Sequence, residues 1–222
     1  MEEDYDKIRH NYRKHVKNLL DNHGNEKIIK IIIRKCSVGN LVTNLLNITS
    51  MGHFQKIYNK FNDDSTIKHA YIICKTENST VFFLEKMDGI IEAKIDHNCN
   101  KYFHEKYKDD ANIFLIDQKG NEPTVMELFE NTRKYMGDEK YFYFSCYNNN
   151  CCTFVEAIIK SNNLSNEESL KFVDENIINV YENLPLHVKA SFMKTSKITD
   201  KICKIYNRAI IIKELFSDQF LE

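Results

Sequence analysis

YNNNCCTFVEAIIKSNN, residues 147–163, sets three asparagines and two adjacent cysteines against the start of an amphipathic helix. Cys151, Phe154, Val155, Ile158 and Ile159 fall at i, i+3, i+4, i+7 and i+8, one apolar stripe, and Asn162-Asn163 ends it. A helix that begins near Cys151 places Asn150 at the N-cap, where its side-chain oxygen accepts from orphan amides. The helix N-terminus carries roughly half a positive charge and favours an anion. A cysteine there ionises more readily than a free thiol, whose pKa is about 8.5. Free amides beside it can form an oxyanion hole, with Asn150 or Asn149 as side-chain contributors. Cys152 lies about 100° further round the helix. The competing reading is that a free Cys beside a helix start is a small apolar filler. A redox role for the pair has no CxxC context to support it.

A thiolate nucleophile needs a base, and the chain has eight histidines. His10, His15 and His23 fall in a charged N-terminal helix and read as solvated, and His53 reads as loop. His97 and His104 lie in the polar stretch HNCNKYFHEK, and His187 precedes a surface helix. His69 differs: it opens the strand HAYIIC, on the face shared with Tyr71 and Ile73, at the edge of the clearest hairpin. The returning strand VFFLEKM offers Glu85 and Lys86 as the group that orients the imidazole. A three-residue turn at Thr76-Glu77-Asn78 pairs His69 with Glu85, whereas a two- or four-residue turn pairs it with Lys86. A carboxylate accepts from the ring N–H and stabilises an imidazolium, so Glu85 is the expected partner.

Around this hairpin the chain reads as helix, then mixed strands, then helices, which predicts an α+β fold. Residues 3–22 have helical spacing and stop at Asn22-His23-Gly24. Strands are expected at 26–36, in the hairpin, at 89–95 and at 112–117. A helix followed by a loop at Ser50-Met51-Gly52 is expected over 40–61, and helices over 124–136 and 167–182. YFYFSC, 141–146, is either a strand or an aromatic approach to the asparagines. The domain reading is an N-terminal helix at 1–25, a catalytic domain at 26–183 and a helical extension at 184–222. In that extension Ile198, Ile202, Ile205, Tyr206 and Ala209 share one side, with Lys on the other.

The 222 residues suffice for a real core, and a net charge of −1 exerts no pull toward nucleic acid or anionic membrane. Seven scattered cysteines without a CxxC or a His/Cys cluster of zinc spacing argue against a disulfide framework and against a metal site. The N-terminus is charged throughout, and IIKIII at 28–33 is far too short to span a bilayer. A reducing, intracellular setting is expected, with no cofactor and no transmembrane segment.

The order His, acid, Cys, with His on a strand and Cys opening a helix, resembles the circularly permuted papain-like superfamily of NlpC-type peptidases and lecithin:retinol acyltransferase-like enzymes. A closer resemblance is to uncharacterised permuted papain-like proteins of large eukaryotic DNA viruses. It rests on Arg34, LLNITSMG at 45–52, His69, LEK at 84–86, NCCTFV at 150–155 and KFVDE at 171–175, and covers roughly residues 28–208. Cys152 departs from it, standing where relatives often carry Gln or Glu. The resemblance implies an antiparallel sheet packed on the helix that starts at the nucleophile. It also implies a Cys151-His69 dyad assisted by Glu85, and a location in host cytoplasm or virion.

Two functions compete. One is a thiol hydrolase or acyltransferase acting on a lipid ester or on a peptide or isopeptide bond. In it the lysine-bearing segment 186–213 suits peripheral contact with an anionic interface. The other is an inactive papain-like scaffold used as a protein-binding module in virus–host contact. In the first, Cys151 is the reactive thiol and Cys152 a packing residue.

Overall fold

Ile28, Ile31, Ile32 and Ile33 are all buried, so the Ile-rich run forms an interior strand covered on both sides. The computed structural model describes residues 11–37, 47–48, 50–61, 68–87, 90–107, 110–145, 148–174, 177–190 and 193. In it this run is β1 (Ile28–Ser37), followed by β2 (Lys68–Thr76), β3 (Val81–Met87), β4 (Ile90–Ile95) and β5 (Ile113–Leu115). Every pairing is antiparallel, in the order β4-β3-β2-β1-β5. The helices are α1 (Lys14–His23), α2 (His53–Phe61), α3 (Val125–Met136), α4 (Asp138–Phe142), α5 (Cys151–Ser161), α6 (Glu167–Val173) and α7 (Ile177–Glu182). The fold is α+β.

Alternation along the strands divides the sheet into two differently covered faces. Ile31, Ile33, Ala70, Ile72, Cys74, Phe82 and Leu84 pack with α1, α3 and α5 in the main core. Ile32, Ile73 and Val81 point the other way, onto Cys99, Tyr102 and Phe103 of a 3-10 stretch, His97–Phe103. Phe154, Val155, Ile158 and Ile159 of α5 are fully buried. Each is worth roughly 1.5–3 kcal/mol in transfer from water, so the helix that begins at Cys151 is firmly seated. Asn162, at its C-terminal end, is buried and ties α5 to α3 through Asn131 and the Leu128 carbonyl. A smaller cluster joins Phe54 and Tyr58 of α2 to Val180, Leu184 and Val188.

Several expectations change. Among the described residues the first helix starts at Lys14, because Arg13 is extended and Tyr12 is anchored in the core by the rings of Phe129 and Tyr141, and the part of the expected helix before residue 11 lies outside the described residues. His53 opens α2 instead of lying in a loop: Ser50 Oγ accepts from the Phe54 amide, and Met51 and Gly52 turn the chain with φ of 53° and 78°. The segment 167–182 is two helices, since extended Asp174 ends α6. The first residues of 141–146 end α4, and Ser145 then bridges to Asn149. His15 and His23 are half-buried and face carboxylates instead of standing free in solvent: His15 Nε2 lies 2.6 Å from Glu92, and His23 Nδ1 lies 2.8 Å from Glu26. The amphipathic stretch 198–209 lies outside the described residues.

Candidate active site

The site begins with the cap of α5. Asn150 is extended, and its Oδ1 accepts from the amides of Cys152 at 2.9 Å and Thr153 at 3.1 Å. The capping amides are thereby consumed, while among the described residues the Cys151 amide itself has no acceptor. Asn149 is used differently from expectation. Its Nδ2 donates to the carbonyls of Lys140 at 2.8 Å and Tyr143 at 2.7 Å, and its Oδ1 accepts from Lys86 Nζ at 3.1 Å. With both amide hydrogens committed, Asn149 supports the loop and does not supply an oxyanion donor.

Lys86 is fully buried on the α5 face of the sheet. Its ammonium donates to the Lys140 carbonyl at 2.6 Å and to Asn149, and lies 5.8 Å from the Phe154 ring centroid. Burial lowers its pKa to about 7. As the alternative partner for His69 it is ruled out by side: it leaves the sheet on the face opposite the imidazole.

The hairpin does not have the expected three-residue turn. Lys75↔Val81 is its last pair at the loop end, and the connection spans 76–80, closed by Thr76 N–H to the Thr80 carbonyl at 2.9 Å. The longer loop shifts the register by two residues, so Tyr71 and not His69 falls opposite Glu85. A shift of two preserves the face, and His69 and Glu85 meet diagonally: Nε2 to Oε2 is 2.6 Å. The ring of His69 also stacks on Tyr71 at 5.9 Å.

The β2–β3 ladder ends at Ile72↔Leu84. Beyond it β2 stays paired to β1 as far as Lys68, and β3 stays paired to β4 as far as Met87. The sheet therefore forks. The Ala70 amide, freed from β3, donates to the sulfur of Cys151. Through this fork a thiol on the helix-covered side comes close enough to an imidazole whose side chain belongs to the opposite face that each acts on the other's proton affinity. Glu85 takes Nε2, which leaves Nδ1 as the ring nitrogen available to Cys151.

The electrostatics follow this geometry. Cys151 is held well below the ordinary thiol range, first by a hydrogen bond with Cys152, against the cost of burial, then by His69 and the Ala70 amide. The two sulfurs are 3.9 Å apart, so the buried Cys152 packs and also contacts the Cys151 thiol. Burial opposes a charge on His69, but hydrogen bonds and charge from Cys151 and Glu85 outweigh it and push the imidazole up to about 10. The two directions agree on a thiolate–imidazolium pair.

A cavity of about 330 Å³ opens on the sheet face away from α5, lined in part by His69, Glu85, Tyr71 and Arg34. No periodicity along the chain announces it, although Arg34, Tyr71 and Tyr102 are all visible as residues. Among the described residues no group of His, Cys, Asp or Glu side chains is assembled to hold a metal, and no helix is long and apolar enough to cross a membrane. Cys36, Cys74, Cys99, Cys151 and Cys152 are all free thiols. No protein-family model, curated protein or solved structure matches this chain.

Proposed function

We propose that this chain is a cysteine-dependent hydrolase or acyltransferase of permuted papain-like fold, acting on an ester or amide carbonyl. The observation that carries the reading is that Glu85 Oε2 lies 2.6 Å from His69 Nε2 while His69 and Cys151 shift each other toward an imidazolium and a thiolate. A nucleophile, a base and a carboxylate that orients the base are the parts acyl transfer needs, recognised by geometry and not by sequence order.

The reaction runs in two halves. The Cys151 thiolate attacks the carbonyl carbon, a C–S bond forms, and the carbonyl electron pair moves onto oxygen. The Cys151 amide is the helix-start donor left to bind that oxyanion. Collapse expels the alcohol or amine, which takes the proton from His69. Neutral His69 then removes a proton from water or from an acceptor nucleophile, which attacks the thioester. Collapse of that second adduct restores the thiolate beside a protonated His69. Glu85 keeps the ring oriented and stabilises its charged form throughout.

Site-resolved alkylation by iodoacetamide, followed by mass spectrometry from pH 5 to 10, tests the reading. Cys151 is expected to label ahead of the other thiols at pH 6, and to lose that advantage in His69→Ala. Slow, uniform labelling of all accessible thiols in both proteins overturns it.

A further inference from the structure

The cavity beside His69 holds an arginine for which the acyl-transfer chemistry has no use. Arg34 lies directly opposite Tyr71 in the β1–β2 register, on the same face, and His69 follows on that face two residues along β2. Diagonal neighbours of this kind are about 7–8 Å apart at the backbone. The guanidinium donates to the Tyr71 hydroxyl and lies 4.2 Å from the Tyr102 ring centroid. These two tyrosines fix the plane of the fork without neutralising it.

Among the described residues Arg34 has no carboxylate partner. Of the nearby acids, Asp96 and Glu85 also line the cavity, Asp96 accepting from the Asn98 amide and the Cys99 thiol and Glu85 lying against His69, while Asp110 accepts from the Asn112 amide and side chain and attracts Arg34 electrostatically without an ion pair. A second cation, Lys101, lines the same cavity and lies 5.1 Å from the same Tyr102 ring. A partly buried guanidinium with no direct ion pair is stabilised by a ligand that supplies one. Its paired N–H groups match two oxygens of a carboxylate or phosphate.

We infer that Arg34, held by Tyr71 and Tyr102 and assisted by Lys101, forms an anion subsite, and that the substrate carries a carboxylate or phosphate group a few bonds from the scissile carbonyl. The inference rests on the acyl-transfer reading for its link to Cys151, but the anion site itself is independent of catalysis. An uncharged ester or amide of similar size leaves the fork unpaired and is the poorer substrate.

The test measures how inorganic phosphate and succinate protect Cys151 from iodoacetamide, at constant ionic strength set with chloride. Each protein is normalised to its own rate without added anion. In wild type, saturating phosphate or succinate is expected to slow labelling at least five-fold, while Arg34→Gln shows no protection. Arg34→Lys keeps the charge but not the fork, and needs at least five-fold more anion for half-protection. Equal protection of wild type and both variants, or protection of none, overturns the subsite. If Cys151 shows no selective reactivity even without anion, the acyl-transfer reading fails instead. The subsite is then judged by melting temperature, which phosphate or succinate should raise in wild type and not in Arg34→Gln; no difference between them overturns it.

Discussion

His69 Nε2 and Glu85 Oε2 lie 2.6 Å apart although the two residues are not opposite each other in the hairpin. The hairpin register, continued past its last pair Ile72↔Leu84, sets Tyr71 and not His69 level with Glu85, and the His69 ring reaches the carboxylate diagonally while stacking on Tyr71. The contact occurs where the β2–β3 ladder stops, at the fork that also admits the Cys151 sulfur. One discontinuity in the sheet thus brings the imidazole both to its carboxylate partner and within the influence of the thiol.

Glu85→Gln is expected to lower the rate of acyl transfer on the order of 10²–10⁴-fold, because an amide neither compensates the imidazolium nor enforces the tautomer. The pH profile separates this from simple loss of fold. His69 has its proton affinity raised from 6.5 to about 10 in the folded protein. Its contribution to stability is therefore complete below pH 6.5 and is lost as pH rises toward 10. In Glu85→Gln the alkaline limb of Cys151 alkylation should move to lower pH; an unmoved limb would show that Glu85 does not support the charged ring.

Cys152→Ala tests whether the second thiol is only a filler. Removing its hydrogen bond should raise the Cys151 pKa, so alkylation at pH 6 slows several-fold while the rate at pH 9 changes little. Cys152→Ser retains a donor and should recover much of the pH 6 rate. Equal rates for wild type and Cys152→Ala at pH 6 would return Cys152 to a packing role.

The two asparagines before the nucleophile should respond differently. Asn150→Ala removes the cap of α5 and is expected to cost about 1 kcal/mol, a fall of roughly 2–4 °C in melting temperature for a chain of this size. Asn149→Ala removes one partner each from the buried Lys86 ammonium and the Lys140 carbonyl, which keep each other, and strands the Tyr143 carbonyl, roughly 1–3 kcal/mol for the stranded group alone. Thermal denaturation should rank Asn149→Ala as the more damaging, and the reverse ranking contradicts its bracing role.

Lys86 provides a stability test with a definite sign. Its pKa falls from 10.5 to about 7 on burial, so between those values the unfolded chain binds more protons than the folded one. Stability therefore rises with pH across that window, at most by about 1.4 kcal/mol per unit. Lys86→Met removes the titration. The stability of wild type relative to Lys86→Met should increase from pH 7 to 10 in urea denaturation, and a pH-independent difference would show that the ammonium is not desolvated.

Much of the local structure was legible in the sequence because its causes are local. The stripe from Cys151 to Ile159, the Asn150 cap and the alternation that puts His69 with Tyr71 and Ile73 follow from helix and strand periodicity alone. So does the placement of His69 and Glu85 on one face, which survived the two-residue error in register because strand side chains repeat every two. The uses of Asn149, Lys86 and Cys152, the cavity around Arg34 and the fork between β2 and β3 depend on which segments meet. Those meetings are decided by loop length and by the packing of α5 on one sheet face and the 3-10 stretch on the other, and no periodicity along the chain encodes them. The sequence determined the helix that carries the thiol and the strand that carries the imidazole; only the tertiary structure, by parting two strands, let them touch across a sheet.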